Sequence, residues 1–267
     1  MKVAFLVTAG VLAMAVHAHA FEQKDLDKLR ATGSCENCDL IRADLKGADL
    51  QGANLRKAVL READLKGTNL KGADLRGADL RRADMERSNL SGAELVGAKL
   101  SGADAEKADL SGANFRQAAM EGMDLENANL RGTILSEANL SGANLKRADL
   151  REAKLNRAIL KKANLERADL RGARLNGANL ERAELDRSLL NGATLSDANL
   201  TYAKLRRANL GNANLERADL TRAMLHLTNI SGTNFRGARG LSADQLDGAC
   251  GDADTVLPDK LSVKPCK

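Results

Sequence analysis

The chain has 267 residues, with 41 Lys or Arg against 36 Asp or Glu and a formal net charge of +5. It carries three histidines, no tryptophan, one tyrosine and four phenylalanines. This argues against Ser–His–Asp or Cys–His catalysis, and against the aromatic platforms on which single-stranded nucleic acid stacks.

Residues 1–20 carry Lys2 after Met1, run apolar from Val3 to Val16 and close on Ala18-His19-Ala20 before Phe21. A basic start, a short apolar core and a small-residue exit spell a cleavable secretory signal. The apolar run is short for a membrane span, and no later stretch qualifies. No cysteine follows it, so a lipid anchor is not indicated. Cleavage would yield a soluble, exported product starting near Phe21. It would remove the charge of Lys2 together with His17 and His19, leaving His226 as the remaining histidine. Residues 21–37 read as an N-terminal cap: Phe21, Leu26 and Leu29 lie among charges between Phe21 and Arg30, as in a short helix.

From Leu40 to Phe235 the chain repeats every five residues without an insertion: IRADL, KGADL, QGANL, RKAVL, READL and onward. Of the 40 closing residues 34 are Leu, and 32 of the residues two places earlier are Ala, so this pair is the candidate core. A period of five fits neither a 3.6-residue helix nor a two-residue strand. Each repeat therefore has to turn. If each turns the chain by about a right angle, four repeats close a square coil of twenty residues with Leu and Ala pointing inward. Gly supports the count. Two places after the closing residue it occupies 8 of 10 sites on one twenty-residue column (52, 72, 92 and so on to 232), against 9 of 30 on the other three. The expectation is that one column carries its own turn chemistry. A size exchange agrees as well: the closing residue shrinks at Ala105 and grows two repeats later at Phe115, which face each other in a four-sided coil.

The repeated motif resembles the pentapeptide repeat family, whose pattern is roughly A(D/N)LXX, over about three quarters of the chain. The resemblance implies an all-β fold, a right-handed quadrilateral parallel β-helix made of short bridges and tight turns. About ten coils over residues 38–240 would stack roughly 4.8 Å apart into a rod roughly 50 Å long. Short helical caps are expected at both ends, where open backbone groups invite end-to-end association. In the C-terminal cap, residues 241–267, Ser242 and Gln245 form a capping box and Gly251 is expected to stop the helix. This tail resembles the closing segment of exported pentapeptide repeat proteins from proteobacteria, which implies a periplasmic or secreted protein.

An exported chain can hold disulfides among Cys35, Cys38, Cys250 and Cys266. Three connectivities are possible on paper. The implied rod removes two, since the pairs lie at opposite ends and a disulfide needs Cα atoms within about 7 Å. That leaves Cys35 with Cys38 and Cys250 with Cys266. A redox CxxC is the competing reading of Cys35-Glu-Asn-Cys38, but no βαβ pattern surrounds it. Asp39 stands where haem attachment needs His, and zinc would need more ligands.

With the frame unbroken there is no loop in which to build an active site, so no catalysis, cofactor or metal is expected. Asp44, Asp64, Asp84, Asp104 and Asp124 share one outward column. Calcium is conceivable there, but Asn replaces Asp freely elsewhere, which favours a turn role. His226 reads as a solvated surface residue. The charge is uneven: residues 41–145 carry 15 basic and 16 acidic side chains, residues 146–222 carry 17 and 10. On one column Arg147, Arg167, Arg187 and Arg207 recur every twenty residues, with Lys146 and Arg206 beside them and Glu166 and Asp186 partly neutralising them. The column is the candidate site for an extended anion or acidic protein. The alternative is a ladder of solvated ion pairs, Glu166 with Arg167 and Asp186 with Arg187. One branch of the family protects DNA gyrase with an acidic rod, often with projecting loops. This basic, uninterrupted, cysteine-closed chain departs from it. The reading is a monomeric, exported, non-catalytic scaffold for protein interaction or structure. A receptor for an anionic envelope component is the alternative, and nucleic acid an unfavoured partner.

Overall fold

In a computed structural model, residues 23–258 and 260–266 are described. The signal assigned to residues 1–20, and Phe21, lie outside them. The repeats build a right-handed, four-sided parallel β-helix in which each bridge joins residues twenty apart, from Ser34↔Asn54 to Asp219↔Arg239. The period is set by three backbone bonds per repeat. The Leu N–H reaches the coil above, as in Leu145 to the Asn164 carbonyl at 2.7 Å, and the bridge residue reaches below, as in Asn144 to Met123 at 3.0 Å. The turn residue also bonds upward, as in Arg147 to Glu166 at 3.0 Å. Within the repeat, the Ala148 N–H closes a turn on the Leu145 carbonyl at 3.1 Å. The backbone is thereby satisfied inside the rod, as burial demands.

Inside lies a continuous Leu and Ala stack, almost wholly without solvent exposure. Where Thr or Ser replaces Ala, its hydroxyl finds a carbonyl: Thr133 Oγ1 donates to Leu130 at 2.7 Å, and Thr228 Oγ1 to Leu205 at 2.7 Å. The core thus admits small hydroxyl residues without stranding a polar atom. Ala105 and Phe115 are both fully buried, on opposite walls of one coil.

The glycine column has a different meaning from the one expected of it. Positive φ occurs two places after the closing residue in every repeat, at Gly52 (+66°) and equally at Arg147 (+57°), Arg187 (+62°) and Tyr202 (+58°). All four corners use the same left-handed turn, so the Gly enrichment marks no separate turn type. Gly relieves a strain that Arg, Lys and Glu bear elsewhere.

At the N-terminus, α1 (Gln23–Thr32) lays Leu26 and Leu29 on the first coil, and the Asp25 carboxylate accepts the Asp39 N–H at 2.8 Å. Cys35 and Cys38 are bonded, Cα to Cα 5.3 Å, and both are buried. Burial denies them the access that a redox pair needs.

At the C-terminus, Ser242 and Gln245 form a reciprocal capping box on α2 (Ala243–Leu246). The helix ends before Gly248, whose φ is +77°, and not at Gly251. Gly251 instead lies in β1 (Cys250–Gly251), paired in parallel with β2 (Lys264–Pro265). A Cβ on Gly251 would come within 2.7 Å of Val263, so close approach explains this glycine. The tail adds a last, irregular coil. Asn229 bridges Cys250 and Asn234 bridges Val256, a register slip of one and then two residues. Where that coil departs, the Gln245 side-chain amide donates to the Leu220 and Ala223 carbonyls at 2.8 and 2.9 Å. The Cys250–Cys266 disulfide, with Cα atoms 4.7 Å apart, fastens the tail.

Candidate functional site

One corner of the rod is formed by the two residues that follow each of Leu145, Leu165, Leu185, Leu205 and Leu225. Their inward anchoring throws both side chains outward, while the left-handed turn sets the second of each pair. Arg147, Arg167, Arg187 and Arg207 stack here one per coil, since each N–H bonds to the carbonyl of the residue just before the next corner Arg or, at Arg207, to that of His226. All four are exposed.

The four do not share one environment. Arg147 lies 3.6 Å from Glu126, and Arg167 lies 3.5 Å from Glu166. Such exposed pairs contribute roughly 0–1 kcal/mol. The second expected pair, Asp186 with Arg187, does not form: the Asp186 Oδ1 accepts the backbone N–H of Arg206 at 2.9 Å. Among the described residues no carboxylate lies within ion-pair distance of Arg187 or Arg207. The half-solvated carboxylate took the fixed backbone donor of the next coil, leaving the guanidinium free.

Arg187 and Arg207 line a shallow cleft of about 380 Å³ with Arg206, His226 and Leu227, and with Glu166 and Asp186 on its lower side. His226 is exposed, as its outward position implied, but it is also held. Its Nδ1 lies 3.4 Å from the Asp247 carbonyl, and a Cβ on Gly248 would fall 2.8 Å from the ring. Sequence reading missed this contact because the tail that makes it leaves the five-residue frame.

On another corner, Arg182 and Arg222 sit 5.3 and 5.4 Å from the Tyr202 ring centroid, above and below, and Arg222 also donates to its hydroxyl at 2.7 Å. The signal was present as Arg182, Tyr202 and Arg222 at intervals of twenty.

The column from Asp44 to Asp124 is stacked by bridges. Its carboxylates act locally: Asp64 accepts the Lys66 N–H at 3.0 Å and Asp124 the Glu126 N–H at 2.9 Å, as Asn164 accepts that of Glu166 at 3.0 Å. Asp and Asn make the same turn bond. Burial, then the like charges of Asp84 and Asp124, push the Asp104 carboxyl above its usual range, against the pull of the Glu106 N–H. Among the described residues no cluster of His, Cys, Asp and Glu is arranged to hold a metal ion, and no helix is long and apolar enough to cross a membrane.

The family model for pentapeptide repeats matches overlapping segments that run from residue 38 to residue 237. Among solved structures, HetL of the cyanobacterium Nostoc sp. strain PCC 7120 is similar. It is a pentapeptide repeat protein involved in heterocyst differentiation regulation, 33% identical over 88% of this chain and 98% of its own, with a TM-score of 0.47. A pentapeptide repeat protein of the Arabidopsis thaliana thylakoid lumen is 34% identical over 36% of this chain and 67% of its own, with a TM-score of 0.35. QnrB1, a plasmid-mediated fluoroquinolone resistance protein, is 18% identical over 71% and 90%, with a TM-score of 0.37. No curated protein matches. With its repeat matched from residue 38 to residue 237, about three quarters of its length, this chain belongs to the pentapeptide repeat family.

Proposed function

We propose that this protein is an exported, non-catalytic scaffold that presents a rigid surface to other proteins, in the periplasm of a Gram-negative bacterium or outside the cell. The carrying observation is the unbroken left-handed corner from Arg42 to Gly237. It leaves a surface of evenly spaced rungs, without the loops from which catalytic clefts are built. The signal-like residues 1–20 and the two cysteine pairs support export. A DNA-mimicking protector of gyrase is not favoured, since the net charge of +5 has the wrong sign.

A second reading, a receptor for an anionic envelope component, is favoured by one observation, the absence of an ion-pair partner at Arg187 and Arg207 among the described residues. The test is twofold. The full chain is expressed in a Gram-negative host, fractionated and sequenced from its N-terminus. Processing before Phe21 with recovery in the periplasm is expected, and an uncleaved cytoplasmic product would overturn export. Cross-linking in envelope extract then compares the parent with a variant carrying Arg147→Glu, Arg167→Glu, Arg187→Glu and Arg207→Glu. A discrete protein adduct supports the scaffold. No adduct, with an anionic glycan or lipid retained by the parent alone, supports the receptor.

A further inference from the structure

Building on the scaffold reading, we propose that the C-terminal end of the Arg147–Arg207 corner is a docking site for an acidic segment of a partner protein that also bears apolar side chains. Two rungs of free positive charge, Arg187 and Arg207, are followed on the same corner by Leu227, where the sequence exchanges Arg for Leu. Leu227 is 47% exposed, and Met224, on the adjoining wall of that coil, is 42% exposed. These are the highest exposures among the large hydrophobic side chains of the described residues. Charge gives way to apolar surface within one coil.

Two clefts meet at this point. One, about 380 Å³, holds Arg187, Arg206 and Arg207 against Glu166 and Asp186 on its lower side, so its upper part is the positive one; the other, about 360 Å³, is lined by Met224 and by the cap carboxylates Asp244 and Asp247. Arg206 and His226 belong to both. The wall between them is fixed: Asp186 holds the Arg206 backbone at 2.9 Å, and the cap holds the imidazole through the Asp247 carbonyl. A preset surface costs a partner less ordering.

The arrangement selects among occupants. A polyanion running up the corner would leave Arg207 and meet Leu227 and then the carboxylates of Asp244 and Asp247. An anionic membrane surface would meet the same repulsion. A peptide can change chemistry from one residue to the next, so its carboxylates can lie on Arg187 and Arg207 while its apolar side chains cover Leu227 and Met224. Arg and apolar groups side by side are also what well-packed protein interfaces favour.

The test uses fluorescence anisotropy of a labelled peptide of four glutamates followed by two leucines, titrated with the full chain at low salt. Two peptides serve as controls, one with lysines for the glutamates and one with serines for the leucines. The acidic apolar peptide should bind most tightly. Arg187→Glu with Arg207→Glu should weaken it by about tenfold or more, and Met224→Ser with Leu227→Ser by about threefold or more. All four side chains are exposed, and unchanged circular dichroism would show that the variants fold. Equal binding of the serine peptide, or no loss in the arginine variant, overturns the proposal. So does tighter Arg-dependent binding of inorganic polyphosphate or phosphatidylglycerol vesicles, which would assign the corner to a polyanion or a membrane. None of these results touches the scaffold reading, which fails separately if cross-linking yields no protein adduct.

Discussion

Replacing Phe115 by Leu thins one wall of the coil at the point where the opposite wall is thinnest, at Ala105. Both side chains are fully buried, so the lost contacts cannot be regained from solvent, and the expected cost is about 1–2 kcal/mol. Ala105→Leu alone forces three extra carbons against the Phe ring and should cost about 1–3 kcal/mol through overpacking. Joined in one chain, the two changes move the volume from one wall to the other. The double variant should recover most of the loss, with a coupling of about 1–3 kcal/mol. At roughly 2–4 °C per kcal/mol for a domain of this size, thermal melts followed by circular dichroism resolve the difference. Each single variant should melt several degrees early, and the double variant should melt near the parent. Losses that add within about 0.5 kcal/mol would show that the two positions do not share one space, and would refute the packing argument for a twenty-residue coil.

Asn164→Asp should leave the melting temperature unchanged within a degree or two, whereas Asn164→Ala should cost about 0.5–1.5 kcal/mol, because only the latter loses the acceptor for the Glu166 N–H. Gln245→Leu should lower the melting temperature by removing the donor to the Ala223 carbonyl, at about 1–3 kcal/mol, and the second donor to the Leu220 carbonyl, which keeps the Ala223 N–H; Gln245→Glu, whose carboxylate cannot donate, should behave alike. Removing the C-terminal bridge with Cys250→Ser and Cys266→Ser, across a separation of 16 residues, should cost about 3 kcal/mol. A reductant should lower the parent's melting temperature towards that of the variant and leave the variant's N-terminal pair as the remaining target. The pH profile should have two signs. The Arg151 guanidinium holds the Asp149 carboxyl below its usual range, and Arg76 does the same for Asp74, in each case against burial. Their stabilisation is present above the ordinary Asp range near 3.9 and is lost as pH falls below it. Asp104 is raised, so its ionisation opposes folding and the penalty is relieved as pH falls through its folded value. Asp104→Asn, which keeps the turn acceptor, should therefore melt above the parent at pH 7 and lose that margin in acid; an equal margin at all pH values would contradict the assignment.

The fold could be read from residues because each repeat states the whole rule: inward Leu and Ala, an Asp or Asn acceptor, two outward residues. Twenty-residue closure was visible in the size exchange at Ala105 and Phe115. What escaped was whatever the frame does not encode. Positive φ at Arg187 is imposed by the turn and not by the residue, so Gly usage exaggerated a difference between corners. In sequence Gly251 reads as the stop of the C-terminal helix, but Gly248 holds that place. One ends a helix and the other lets Val263 approach, and the choice rests on the long-range pairing of Cys250 with Lys264. On the charged corner, stacking was legible, but partner choice was not. Asp186 turned to the Arg206 backbone and not to its neighbour Arg187, a competition between acceptor sites that spacing alone does not decide.

Because bridges join residues twenty apart and both disulfides are local to their own ends, spanning 3 and 16 residues, no covalent tie records how many coils lie between the caps. Loss or gain of twenty residues anywhere in the frame would restore every wall to its partner and change only the length. Loss or gain of five between Arg167 and Arg187 would turn everything beyond it by a quarter revolution, carrying Arg187 and Arg207 off the line of Arg147 and Arg167 while leaving the inward Leu and Ala positions inward. Length and facing direction are therefore separable quantities in this molecule, each open to change by a single in-frame event.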